Sequence, residues 1–582
     1  MKTSRVQTLS RAMPILLCVL MAWGCGGTDD TISGANNSTA DAGAADVGQP
    51  QPDLTDEVYD PTQLLKVEIE LAAGDWDTLR KQTRTWTGLF GGDCLKGPFA
   101  SPFTWFKGTV KVNGQIFEEA DVRKKGFLGS MDDVRPSLKV DLGEHIDGQQ
   151  FKGVRHLTLN NSKQDPSLAR TCLAYRLFKS AGIPAPRCSH AVVSVNGQSL
   201  GVYVLLEPLK KDFLKRHFAD SKGALLEGAL SDFTNRLNVT FDAKNSAAEG
   251  VSVDPVMKAL ESPDDQLEAT LGEVLDVDAF INFWAAEVLV GHTDGYTANR
   301  NNFYLFQDQQ KWKFLPWGAD NVLRPATELQ QTALPVFWSS VLAYRLYGIK
   351  STRDRYEDRL YALVTQVWNT DALVKEVDRV QALVEPALSS LQDSAKFKGD
   401  MDDLRKHLKE RPEALKQWLN NGLPPRGEAV PEPECMLTKG KVTVTFSTTW
   451  GSLQSAPEKW FDGKTQMTAF YQGETLPIFA AASPAGPGDD GPGILLFGAM
   501  GEDEHIIVWL PVDPASLTTD APMSVEGFAI YTNKSKGIND AFLGSVPGKL
   551  TLSSADTKAD GGIVGSFSGD IIWFEDKADK DD

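Results

Sequence analysis

The sequence predicts an α+β protein: a large mixed domain over residues 58–422, then a small all-β, sandwich-like domain over residues 436–582. Three observations predict it. Between residues 58 and 422, runs with two-residue apolar alternation give way repeatedly to runs with helical spacing. At 423–435 the composition shifts to the Pro- and Glu-rich stretch LPPRGEAVPEPEC, which reads as a linker. Beyond it come only short alternating runs between Gly, Pro and Asp turns, such as KVTVTFSTTW, HIIVWLPV and GGIVGSFSGDIIWFE, as a small sandwich or barrel requires. A length of 582 residues exceeds one ordinary domain, and 41% hydrophobic with 24% charged residues is a composition able to bury a core.

Residues 1–24 read as an export signal. Lys2, Arg5 and Arg11 precede PILLCVLMAW, an apolar stretch too short to span a membrane stably. AWGCGG follows and resembles a bacterial lipobox, with Gly24 before Cys25 and Ala22 where leucine is commoner. The resemblance implies that Cys25 is lipidated and anchors the protein to the membrane of the bacterial envelope, and Gly26 rather than aspartate after it points to the outer membrane. A plain secretory signal cut nearby, releasing the protein, is the alternative. Residues 25–57 then lack large apolar side chains almost entirely and read as a flexible acidic tether.

Order is expected to begin at VYDPTQLLKVEIEL, where Leu65, Val67, Ile69 and Leu71 alternate with polar residues as in a strand on a core. AAGDWDTLRKQ follows as a short helix. GTVKVNGQIFEEADVRKKG gives two alternating runs about Asn113-Gly114, the mark of a hairpin, and PSLKVDL and VRHLTLNN give further strands. DPSLARTCLAYRLFKSAG reads as a helix capped by Asp165, with Pro166 in its first turn and Gly182 at its end. HAVVSVNGQSLGVYVLLE is a second hairpin, turning at Asn196-Gly197. KDFLKRHF opens a helix, residues 254–293 are helical, NNFYLFQD and KWKFLPW form a hairpin, and residues 352–422 are helical again.

The balance of 59 basic and 78 acidic side chains gives a net charge of −19, which repels phosphate backbones, so no nucleic-acid partner is expected. Cys18 and Cys25 belong to the leader and anchor; Cys94, Cys172, Cys188 and Cys435 are an even set suited to disulfides outside the cytoplasm, in any of three pairings. The chain has no Cys-x-x-Cys, His-Glu-x-x-His, Gly-x-Ser-x-Gly or Walker-type Gly-Lys-Ser/Thr motif.

Several blocks, in order, resemble the spore-coat-protein-H (CotH) kinase family: VYDPTQLLKVEIELAAGDWDTL, VRKKGFLGSMDDVRPSLKVDLGE, LTLNNSKQDPSLARTCLAYRLFKSAGIPAPR, VVSVNGQSLGVYVLLEPLKKDFLKRHF, and DGYTANRNNFYLF followed by KFLPWGAD. The likeness covers about residues 58–422. It implies an atypical protein-kinase-like fold that binds ATP with Mg²⁺ or Mn²⁺ and phosphorylates Ser or Thr of a protein substrate on or near the cell envelope. Phosphoryl transfer asks for an acid to orient the attacking hydroxyl, oxygen ligands for the metal and cations for the phosphates. Asp294, just after an apolar helical run, would be the acid. Asn299, five residues on as in Asp-x-x-x-x-Asn, or Asn302 in NNFYL, would hold the metal with Asp320. The hairpin between the two acids returns the chain, so both can meet at one end of a sheet. Lys139 in RPSLKVDL would hold the phosphates, aimed by Glu207 at the end of GVYVLLE, with Arg123 and Lys125 of VRKKG as further cations. Gly126 and Gly129 suit either a loop that approaches phosphate or a plain hairpin turn, and His292 and Trp317 read as packing residues.

The family pattern often places two acids in Trp-Asp-x-Asp where this chain has Trp317-Gly318-Ala319-Asp320. A second reading therefore stands beside the kinase: a catalytically inactive, kinase-like surface lipoprotein acting as a binding or adhesion module. Some relatives act as surface adhesins, export removes the protein from cytoplasmic ATP, and an appended β domain is a common way to add binding.

Overall fold

Seven strands of the N-terminal part close into a barrel: β1 (Leu64–Glu70), β2 (Phe106–Val112), β3 (Gln115–Lys125), β4 (Ser137–Asp141), β5 (His156–Asn160), β6 (Cys188–Val195) and β7 (Gln198–Leu206). Their order is β1-β2-β3-β4-β5-β7-β6, with β6 returning parallel to β1. Two hairpins turn at Asn113-Gly114 and Asn196-Gly197, all four residues at positive φ as a tight primed turn demands. Alternate side chains, among them Val67, Val122, Leu138 and Val140, fill the barrel. Out of phase with them, Arg123 and Lys125 of β3 and Lys139 of β4 face outward, Arg123 directly opposite Lys139.

This is a computed structural model, and it describes residues 53–574 apart from 92–93, 326–333, 452, 454–462, 489–490 and 516. The export signal, Cys25 and the tether up to residue 52 lie outside the described residues. The chain forms two units: one ends at Glu432 and omits Thr85–Cys94, and the other joins Thr85–Cys94 to the chain from Pro433 onwards. Among the described residues no helix is long and apolar enough to cross a membrane.

The outward Val202, Val204 and Leu206 of β7 enter the first unit's second core, built around the Val277–Val290 helix. That helix is apolar on nearly every side and correspondingly buried. Asp276 caps its start by accepting from Ala279 N at 3.0 Å, and Gly291 ends it at φ 68°. Beside it lies a four-stranded antiparallel sheet of β8 (Leu225–Gly228), β9 (Asp242–Ala243), β10 (Phe303–Asp308) and β11 (Lys311–Pro316), in the order β11-β10-β8-β9.

Two expectations change here. The helix expected from Asp165 begins at Arg170; Asp165 instead closes the preceding turn, accepting from Arg170 N at 2.9 Å and pairing with the Arg170 guanidinium at 3.1 Å. Residues 423–432, expected as linker, belong to the first unit. Their ties are the carbonyls of Pro424, Val430 and Pro431, the Arg426 side chain and Leu423 at the edge of the core, spread too thinly for a Pro- and Glu-rich composition to reveal them.

The second unit is one antiparallel sheet: β12 (Met436–Thr449), β13 (Lys464–Tyr471), β14 (Glu474–Leu476), β15 (Ala480–Ala482), β16 (Ala485–Gly488), β17 (Gly491–Ala499), β18 (Glu504–Pro511), β19 (Pro522–Asn533), β20 (Ile538–Ala555) and β21 (Gly562–Phe574). It curls as a half-barrel, the barrel alternative to two stacked sheets. Its order is β14-β13-β12-β21-β20-β19-β18-β17-β15, with β16 also on β17, and the Thr465 and Ser483 hydroxyls meet at 2.8 Å across the curl. Val442, Val444, Ile494, Leu496, Ile506 and Val508 fill its concave core. The disulfides are Cys172–Cys188 in the first unit and Cys94–Cys435 in the second.

Candidate active site

Beyond Gly291 the chain enters a buried loop, and Glu287 on the preceding helix fixes it. The Glu287 carboxylate accepts from the Tyr296 and Thr297 backbone N–H groups, both at 2.9 Å, and from the Thr297 hydroxyl at 2.5 Å. This sets Asp294, only 1% exposed, at the head of the loop. Three amides converge on it. Asn299 and Asn301 reach Oδ1 at 2.6 and 3.2 Å, and Asn302 reaches Oδ2 at 2.6 Å. An ionised carboxylate only accepts, so each asparagine must present its NH₂. For Asn302 that turns Oδ1 the other way, where this buried oxygen finds no hydrogen-bond partner. Arg300 and Asn302 both sit at positive φ, 55° and 50°. Such backbone costs a non-glycine residue about 1–2 kcal/mol and gathers at functional sites.

β10 and β11 return the chain, Phe303 pairing with Pro316, and Trp317 N donates to Asn302 O at 3.3 Å. Gly318 follows at φ 55°; a Cβ there would lie 2.9 Å from Asn302 Nδ2 and nearer still to its Cγ and Oδ1. The space an acid would take at 318 is thus filled by Asn302. Asp320 comes two residues later, also buried, and Leu323 N donates to Val290 O at 2.8 Å, pinning this turn to the helix that leads to Asp294. Asp294, Asn302 and the turn bearing Asp320 therefore share one end of the hairpin.

The cations lie on the outer face of the barrel. Burial pushes Lys139 down to about 7, with Glu227 opposing the shift and Lys210 and Lys244 adding to it. The acid whose charge acts most on Lys139 is Glu227 of β8, whereas Glu207 is taken up elsewhere. Glu207 is engaged by both guanidinium nitrogens of Arg216 and by Arg187, whose side chain and N–H reach it at 2.8 and 3.0 Å. Burial works to raise the Glu207 carboxyl, and these donors hold it below its ordinary value. Strand ends lie close in sequence patterns, but only the tertiary fold brings Arg187 and Arg216 there.

Glu227 also pairs with Lys244 at 2.9 Å and sits opposite Tyr304, one residue beyond the Gly228–Phe303 pair. Burial lowers Lys210 to about 8 and Arg84 to about 10. Arg123 is buried, lies 4.9 Å from the Trp105 ring centre and donates to Ser101 Oγ at 3.3 Å. Lys125 is buried, and its Nζ has no hydrogen-bond partner in the protein. Positive charge gathered this way in a chain of net charge −19 suits a compact polyanion.

Gly126, at φ 130°, serves a packed turn: a Cβ there would lie 2.6 Å from Ser130 Oγ, and that hydroxyl closes the turn onto Phe127. Trp317 packs edge-on against Tyr304. His292 is buried 3.6 Å from Glu287, and neither ring nitrogen has a hydrogen-bond partner. Among the described residues no three His, Cys, Asp or Glu side chains cluster as a metal site. Magnesium takes amide and carboxylate oxygens alike, however, and the orphaned Asn302 Oδ1 beside the Asp320 turn fits that donor set.

The family description "CotH kinase protein" matches residues 122–423, just over half of the chain. The chain belongs to the CotH kinase family. The first unit is thus an α+β, kinase-like CotH domain, and the match runs from β3 through the Ser394–Asn421 helix. Inner spore coat protein H of Bacillus subtilis is 23% identical over 292 residues, 46% of this chain and 80% of the relative. Spore coat protein homolog 1 of Rhizopus delemar is 22% identical over 269 residues, 42% of this chain and 43% of the relative. A solved structure of the Helicobacter pylori proinflammatory kinase CtkA aligns over 56% of this chain and 95% of its own, at 11% identity and a TM-score of 0.27.

Within the CotH domain, Glu227, Glu287 and Asn301 escape a reading of the sequence alone. The first two carried a signal: each is a lone acid in an otherwise apolar stretch, LLEG and WAAEVLV. A buried acid in such a run must find partners: Glu287 takes three donors, and Glu227 the Lys244 ammonium.

Proposed function

We propose that this chain is an exported protein kinase, anchored through a lipidated Cys25, that transfers the γ-phosphate of ATP with Mg²⁺ or Mn²⁺ to a Ser or Thr hydroxyl of a protein at the envelope. The observation that carries the reading is the Asp294–Asn302 pair, in which one amide donates to the acid and thereby turns its own oxygen toward the Gly318 turn. Asp294 would orient the substrate hydroxyl and accept its proton. Asn302 Oδ1 and Asp320 would hold the metal, whose charge offsets that of the phosphates when bound. Lys139, with Arg123 and Lys125, would hold the phosphate chain, and Glu227 would orient Lys139. A lysine desolvated in the free protein gains strongly from an incoming polyanion.

The test is transfer of label from γ-³²P-ATP to casein, or to the chain itself, by purified residues 53–582 and by the Asp294→Ala form. Incorporation on Ser or Thr that Asp294→Ala abolishes supports the reading; equal incorporation by both forms rejects it. Palmitate labelling lost in Cys25→Ala tests the anchor.

One observation favours the inactive binding lipoprotein: three amides already occupy the two oxygens of Asp294. Thermal unfolding separates the two readings, because a ligand that binds only the native state raises Tm. Stabilisation by Mg²⁺ and ATP that Asp320→Asn removes favours the kinase. No shift at millimolar ATP favours the binder.

A further inference from the structure

The family match stops at residue 423, yet the first unit runs on to Glu432. Residues 423–432 contain neither helix nor strand, but they are tied down at intervals. Tyr347 Oη donates to Pro424 O at 2.7 Å. Arg426 lies 4.4 Å from the Tyr344 ring centre and donates to Tyr344 O at 3.1 Å. Gly427 rests against Trp338, where a Cβ would lie 3.2 Å from the ring.

The last tie is Arg300, inside the loop between Asp294 and Asn302. Arg300 donates to Val430 O at 2.8 Å, to Pro431 O at 3.2 Å, to Ser339 O, and through Nε to Asp232 at 3.1 Å. Asp232 is fully buried and gathers the surroundings, accepting from Tyr296 Oη at 2.9 Å and from Val341 N at 2.8 Å. The Arg300 carbonyl in turn accepts from Ser231 N at 2.8 Å.

Arg300 is also one of the two loop residues held at positive φ. A non-glycine residue stays there only where its surroundings over-determine it. The surroundings here are the acceptors around one guanidinium, and two of them are carbonyls of the 423–432 segment. The next two residues, Asn301 and Asn302, carry two of the three amides on Asp294.

We infer that Arg300 is a positioning residue that makes the Asp294–Asn302 geometry depend on residues 423–432, a strap that completes the kinase unit beyond the family boundary. The inference rests on the reading of Asp294 and Asn302 as the working pair. When the strap slackens, Arg300 loses two carbonyl acceptors, the loop relaxes from its left-handed turn, and the amides leave Asp294. The outward cations of β3 and β4 keep their places, but Asn302 leaves the metal position as well as Asp294, so the loss falls on turnover and on the Mg²⁺-dependent part of nucleotide binding.

The experiment uses the chain carrying both units in four forms: wild type, Arg300→Ala, Arg300→Lys, and an insertion of Gly-Ser-Gly after the exposed Glu428. Amide hydrogen exchange of residues 292–302 is read first, because it needs no catalysis. The insertion and Arg300→Ala are expected to speed that exchange at least tenfold and leave peptides from β3 and β4 unchanged, with Arg300→Lys between. In phosphoryl transfer, kcat falls at least tenfold, and stabilisation by ATP weakens in the presence of Mg²⁺ but not in its absence. Unchanged exchange in the insertion form overturns the strap, whatever the activity. Faster exchange with no transfer by the wild type keeps the clamp and removes the kinase reading. If Arg300→Ala does not fold, the insertion form, which leaves Arg300 in place, still decides.

Discussion

Replacing Gly318 by alanine tests how closely the metal turn and Asp294 are coupled. At φ 55° a Cβ is unfavourable in itself, by about 1 kcal/mol. The new atom would also lie 2.9 Å from Asn302 Nδ2 and nearer to Cγ and Oδ1, against an ordinary carbon contact of about 3.5–4.0 Å. Asn302 would have to withdraw by roughly 1 Å, which breaks its 2.6 Å hydrogen bond to Asp294. A hydrogen bond to a charged group contributes about 1.5–3 kcal/mol. The two effects together come to about 3 kcal/mol, or about a hundredfold in the population of the productive arrangement. The assay is label transfer from ATP, with Mg²⁺-dependent thermal stabilisation by ATP as a second readout. Both should fall sharply in Gly318→Ala. Gly318→Asp, which restores the acid of the family pattern, should fare no better, because Asn302 fills that space. Full activity and stabilisation in Gly318→Ala, or a gain in Gly318→Asp, would refute the coupling.

The pH dependence of nucleotide binding follows from Lys139. Held at about 7 against an ordinary 10.5, its ammonium loses its proton above pH 7 in the free protein and must regain it to hold phosphate. ATP affinity should therefore fall by up to about tenfold per pH unit above pH 7, and Lys139→Arg should flatten the profile in titration calorimetry from pH 6 to 9. The free protein shows the opposite trend: because the folded-state value lies below the unfolded one, its stability rises with pH between about 7 and 10.5. The reassigned carboxylates give a paired comparison. Glu207→Gln should cost about 3 kcal/mol of stability by stranding Arg187 and Arg216, yet leave ATP affinity within about twofold, whereas Glu227→Gln should weaken ATP by about tenfold. Loss of ATP binding in Glu207→Gln alone would reverse the assignment.

Much of this arrangement was legible in the sequence. Asn113-Gly114 and Asn196-Gly197 announced their hairpins because only a few residue types accept two successive positive φ angles. The hairpin between Asp294 and Asp320 was legible for a similar reason: two aromatic, alternating runs flank a short polar turn. What stayed hidden depends on distant chain. Glu207 reads as a partner for Lys139 until Arg187 and Arg216 claim it. Asp165 reads as a cap until Arg170 draws it into the turn before the helix. Residues 423–432 read as a linker because three of their ties are main-chain carbonyls, which every residue carries and no composition reveals. The disulfides needed the fold to choose among three pairings.

The central claim is that the barrel cations and the Asp294–Asn302–Asp320 end of the hairpin hold one metal-bound nucleotide. Titration calorimetry of Mg²⁺ and ATP into the wild type, Lys139→Met and Asp320→Asn tests it most directly. The account predicts a single site in the wild type, weakened at least about tenfold by Lys139→Met at pH 7, and by Asp320→Asn only when Mg²⁺ is present. Binding that neither substitution alters, or that Asp320→Asn weakens equally without metal, would contradict it.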